Sequence, residues 1–147
     1  QSARKMEFSD LYSNRILEIA GAARQMPRLD HPDATARKVS RICGSAVEID
    51  LKLDNGRVAA YGATVNACAL GQTSAAIVAE QIIGSTPEEL RALRDRMAAM
   101  LRADGPPPNG KWDDLKYLEP VRAFPARHAS TLLVFDAVVE ALERAEA

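Results

Sequence analysis

Val47-Glu48-Ile49-Asp50-Leu51-Lys52-Leu53-Asp54, followed at once by Asn55-Gly56, decides the fold class of this chain. Apolar residues stand at every second position, the repeat of a strand with one buried and one wet face. Asn-Gly tolerates the positive φ angles of a type I′ turn, so Arg57 to Val65 is expected to return as the antiparallel partner. Upstream, Lys38 to Ile42 is expected as the third strand. Gln25 to Thr35 carries Pro27 and Pro32 and neither periodicity, and reads as a loop. A sheet this small cannot leave Val47, Ile49, Leu51 and Leu53 in water, so helices must cover that face.

The helices are legible from three- and four-residue spacings. Phe8, Leu11, Tyr12, Ile16, Ile19 and Ala20 share one helical face, with Ser9 or Asp10 as the expected cap and an end near Ala23. After Cys68, the small residues Gly71, Thr73, Ser74, Ala75 and Ala76 lead into Ile77, Val78, Ile82 and Ile83, a helix that can pack closely and that Gly84 can end. Thr86-Pro87-Glu88-Glu89 is a capping box opening a further helix, striped by Leu90, Leu93, Met97, Met100 and Leu101. The run from Gly105 to Gly110 interrupts the chain before a short apolar segment around Trp112, Leu115, Tyr117 and Leu118. Phe124-Pro125 marks a bend before a last helix lined by Leu132, Phe135, Val138, Val139 and Leu142. The expectation is an α+β fold: a three-stranded antiparallel sheet covered on one face by helices, as a single domain over residues 7–145.

Composition narrows the function. Lys and Arg number 19 against 20 for Asp and Glu, so no basic field attracts nucleic acid or an anionic membrane. The longest apolar runs, such as Leu132 to Phe135, fall far short of the ~20 residues that span a bilayer. The chain therefore reads as cytoplasmic. Two cysteines in 147 residues make no disulfide framework, and in a reducing compartment they are thiols unless a metal or sulfur species claims them.

Cys43 precedes Gly44 at the expected end of the first strand, and Cys68 stands where the last strand turns into a helix. If the first and third strands run in the same direction, their ends share one edge of the sheet and the two thiols can converge. Cys68 also feels the positive end of the helix dipole, which favours its thiolate. The spacing alone leaves two readings open: a metal or sulfur site, or two buried small apolar residues. His31 has no metal-spaced partner and reads as solvent-facing.

The stretch Asn66-Ala67-Cys68-Ala69-Leu70-Gly71-Gln72-Thr73-Ser74-Ala75-Ala76 resembles the cysteine and small-residue helix start of the IscU/NifU (SufU-like) iron-sulfur cluster assembly scaffold family. Cys43-Gly44-Ser45 resembles that family's Cys-Gly-Asp turn. Gly84-Ser85-Thr86 falls at its Gly-Lys-Ser/Thr helix break, and Phe124-Pro125-Ala126-Arg127 resembles the segment before its third cysteine. The order agrees from about Leu11 to Leu142. The resemblance implies a SufE/IscU-like sandwich and a scaffold, not an enzyme, that holds iron, a [2Fe-2S] cluster or zinc. It also implies a cysteine desulfurase and cluster acceptor proteins as partners, and leaves a homo-oligomer open. Soft thiolates suit that cargo.

Two positions depart from the family pattern: Ser45 stands where the family has Asp, and Ser130 where it has the third cysteine. The cluster-binding candidates are therefore Cys43, Cys68, Ser45 and Ser130. A three-ligand metal set of Cys43, Cys68 and His128 is the alternative, since His128 lies two residues before Ser130. Arg127 matches a basic position of the family and can pair with a cluster's charge or with a persulfide.

Overall fold

A computed structural model describes residues 12–22, 26–42 and 44–146. Three strands, β1 (Ala34–Ser40), β2 (Ser45–Asp54) and β3 (Arg57–Asn66), form one sheet in the order β1-β2-β3, with both neighbouring pairs antiparallel. Asn55 and Gly56 take φ of 53° and 74°, the doubly positive turn that the dipeptide predicts. Val47, Ile49 and Leu51 are buried on the face that the last helix crosses. The first strand is displaced from its expected position, beginning at Ala34 rather than Lys38 and leaving Arg41 and Ile42 in the turn. Ala34 and Ala36 supply the buried alternation there, with side chains too small to raise a hydrophobic signal.

The opposite face of the sheet is held by charge. Asp50, which the alternation assigns to water, is 1% exposed and receives Arg28 through both carboxylate oxygens, at 2.6 and 2.7 Å. Thr35 Oγ1 donates to it at 2.6 Å and the Leu29 amide at 3.0 Å, while Arg28 also reaches Glu48 at 2.6 Å. These bonds pin the loop before β1 across the sheet. Gly62, the register partner of Asp50, permits it: a Cβ there would stand 2.5 Å from the Pro27 carbonyl oxygen.

Four α-helices and a run of 3₁₀ turns complete the described residues. α1 (Asn14–Gly21) is capped by Ser13, whose Oγ accepts from the Ile16 amide at 3.2 Å; Phe8, Leu11 and the expected caps Ser9 and Asp10 lie outside the described residues. α2 (Ala69–Gln81) uses its small residues to approach both neighbours. Thr73 donates to the Ile16 carbonyl of α1 at 3.3 Å, and Ser74 donates to the carbonyl of Thr131 at 2.8 Å. α3 (Pro87–Arg102) opens on the expected cap, with Thr86 Oγ1 accepting from the Glu89 amide at 3.1 Å.

The 3₁₀ run covers Gly110–Ala123, longer than the short segment expected, and buries Trp112, Leu115, Leu118 and Val121. Trp112 Nε1 donates to Glu89 at 2.9 Å, which ties this run to the start of α3. α4 (His128–Glu146) follows the Pro125–Arg127 turn and packs on β1, β2, α2 and α3. Its inner face merges with the sheet face into one buried cluster.

The Asp50 carboxyl is held down at about 2, first by the Arg28 hydrogen bonds, against the opposing effect of burial, with Thr35 and the Leu29 amide adding to the first. A folded value below the ordinary one stabilises above pH ~4 and is lost as pH falls towards 2, a contribution of about 2 kcal/mol. Urea midpoints should fall across that window in the native protein and much less in Asp50→Asn; equal slopes would contradict the anchoring role. At Gly71 a Cβ would stand 2.8 Å from the Ala67 methyl and 3.2 Å from the Ser130 carbonyl oxygen. Gly71→Ala should therefore lower stability by about 1–3 kcal/mol despite its better helix propensity, and a gain would refute the close approach.

Candidate functional site

Register brings the candidate residues to one end of the sheet. Ser40 pairs with Ser45 and Ala46 with Asn66, so the β1–β2 connection and the exit from β3 share that end. β1 and β3 run in the same direction, as convergence of the two cysteines requires. Cys43 itself lies outside the described residues. Of its neighbours, Ile42 is 74% exposed and Gly44 takes φ of 67°.

Cys68 is the N-cap of α2, its extended backbone (φ −68°, ψ 173°) setting the carbonyl to accept from the Gln72 amide at 2.8 Å. Its Sγ is half-buried and 3.5 Å from Ser130 Oγ. That contact spans 62 residues and depends on Gly71, which lets the first turn of α2 lie against the Ser130 backbone. Partial burial opposes the thiolate. The Ser130 hydroxyl, the Gly71 and Leu70 amides and the charge of Arg127 outweigh it, so the Cys68 thiol sits below its ordinary pKa.

Ser130 is 1% exposed, and its single hydrogen chooses between the Arg127 carbonyl, at 3.4 Å, and the Cys68 sulfur. A thiolate carries no hydrogen of its own, so against Cys68 in that state the hydroxyl is the donor. Ser45 is 2% exposed, and its Oγ has no hydrogen-bond partner among the described residues; its cross-strand neighbour Ser40 is in the same position. Ser40 carries no signal in the sequence beyond its place opposite Ser45.

His128 is 7% exposed, and its Nε2 lies 3.0 Å from the Val121 carbonyl oxygen and 3.3 Å from that of Arg122. Facing two carbonyl acceptors, Nε2 serves as a donor there and is not the nitrogen that would meet a metal. Among the described residues no three His, Cys, Asp or Glu side chains are grouped to hold a metal ion. The described residues also include no helix long and apolar enough to cross a membrane. A separate cavity of about 600 Å³ between α1 and α2 is lined by Arg15, Glu18, Ile19, Met26 and Ile77 among others, and by none of the described candidate site residues.

No family model matches the chain. Among solved structures, the N-terminal part of a nitrogen-fixing NifU-like protein from Brucella abortus is 48% identical over 94% of this chain and 96% of that one, with a TM-score of 0.91. The iron-sulfur cluster assembly scaffold protein IscU of Thermotoga maritima is 27% identical over 139 residues, which is 95% of this chain and 97% of that protein. A structure assigned to the SUF system of Fervidobacterium islandicum, 19% identical with a TM-score of 0.83 over 92% of this chain and 99% of that one, shares the fold. On the match to the Brucella protein across nearly the whole of both chains, this chain belongs to the IscU/NifU/SufU-like family of iron-sulfur cluster assembly scaffolds.

Proposed function

We propose that this chain accepts an iron-sulfur cluster or its iron, holds it through the thiolates of Cys43 and Cys68, and hands it to acceptor proteins, with a cysteine desulfurase supplying the sulfur. The observation that carries this reading is the environment of Cys68: a thiol at a helix start, half open to solvent, biased towards thiolate by Ser130, backbone amides and Arg127. A soft anionic sulfur at an accessible edge is what a [2Fe-2S] cargo needs. Such a protein binds and releases and turns over no substrate. Thiols that must stay reduced between cargoes suit the cytoplasm.

One observation favours a second reading, a sulfur acceptor or zinc-bound partner of the desulfurase. The position that carries the family's third cysteine is a buried serine hydroxyl touching Cys68, a weak ligand for iron and a good donor to sulfur.

Anaerobic incubation with ferrous iron and sulfide separates the two. The scaffold reading expects visible charge-transfer absorption that is lost in Cys43→Ala and in Cys68→Ala and strengthened several-fold in Ser130→Cys. A protein that stays colourless as the native chain and as Ser130→Cys, both folded, overturns it.

A further inference from the structure

We propose that Ser45 and Ser130 act in this chain as hydrogen-bond donors to an anionic sulfur carried on Cys68, a persulfide, rather than as ligands to a metal. This rests on the sulfur-acceptor reading and assigns its two positioning residues.

The placement comes from both sides of Cys68. Ser130 Oγ stands 3.5 Å from Cys68 Sγ. On the other side, the β2–β3 register ends with Ala46 opposite Asn66, and one further step sets Ser45 across from Ala67, the residue before Cys68. Ser45 shares the helix-covered face of Val47, and the Ala67 methyl lies against Gly71, which in turn meets the Ser130 backbone. Ser45 and Ser130 therefore stand, buried, at the end of the sheet where Cys68 opens α2, with Ser130 in direct contact with its sulfur.

A hydroxyl as deeply buried as that of Ser45, with no partner among the described residues, is costly unless something accepts its hydrogen. A persulfide's outer sulfur is such an acceptor, being anionic near neutral pH and bearing lone pairs that take hydrogen bonds from hydroxyls. Arg127 adds a positive charge to the same end of α4.

The transfer balances without an outside oxidant or reductant. The Cys68 thiolate attacks the outer sulfur of a donor persulfide, R–S–SH, and forms the new S–S bond. The donor's own S–S bond breaks, and its electron pair leaves with R–S⁻. The product is Cys68–S–SH, whose proton is lost to solvent.

The test uses the full chain and glutathione persulfide under anaerobic conditions, with intact-mass spectrometry after the excess is removed. The native protein should gain the mass of one sulfur atom, a gain that persists in Cys43→Ala and is absent in Cys68→Ala. Ser45→Ala and Ser130→Ala should each shorten the lifetime of that adduct by about fivefold, the size of one hydrogen bond. Ser45→Thr and Ser130→Thr, which keep the hydroxyl, should retain it. The unfolding midpoint of Ser45→Ala should be equal to or above native, because the variant removes an unpaired buried hydroxyl, whereas a hydroxyl needed only for structure would lower it.

Adduct lifetimes that ignore both Ala variants overturn the donor roles while leaving sulfur acceptance standing. No adduct on native Cys68 overturns both. Loss of reconstituted iron in Ser130→Ala would mark a ligand and also overturn the proposal.

Discussion

The arrangement depends on the close approach of the first turn of α2 to the first turn of α4, which Gly71 permits by offering no side chain to the Ser130 carbonyl. That approach sets the Cys68 sulfur against the Ser130 hydroxyl, and the bond from Ser74 to the Thr131 carbonyl continues it one turn along. Small residues along α2 serve geometry more than helix stability. A larger side chain at Gly71 would strengthen the helix in isolation and separate the two groups that give Cys68 its chemistry.

The sheet supplies the other half of the site, and it is fixed from both faces. On one face α4 covers Val47, Ile49 and Leu51 with apolar surface. On the other, the Arg28–Asp50 pair, with Thr35 and the Leu29 amide, clamps the loop before β1. Because each is antiparallel to β2, β1 and β3 run in one direction and deliver the β1–β2 connection and the β3 exit to the same end. Ser45, Cys68 and Ser130, three positions marked by the family resemblance, stand at that end.

The sequence made much of this legible because those parts are local. The alternation of Val47 to Leu53, the Asn55-Gly56 turn and the Thr86 cap each act within a few residues, and each stands where expected. What escaped is long-range. Asp50 looks like a wet strand residue until a loop some twenty positions upstream folds over it, and Gly62 looks neutral until Pro27 lies on it. β1 began unseen because Ala34 and Ala36 are buried without being strongly apolar. The 3₁₀ run from Gly110 escaped because Pro120 and its interspersed charges mask its buried residues. Cys68 was identifiable from its place between strand and helix, but its contact with Ser130 was not, since that contact is made only by packing.

The central claim is that Cys43 and Cys68 belong to one site, and a reagent that requires two neighbouring thiols tests it directly. Titrating the native, reduced chain with phenylarsine oxide should consume both thiols with a single arsenic per chain and leave the protein's mass that of a bridged monomer. Two thiols that remain fully reactive towards maleimide after arsenical treatment, in a folded protein, would place the cysteines apart and contradict the shared site.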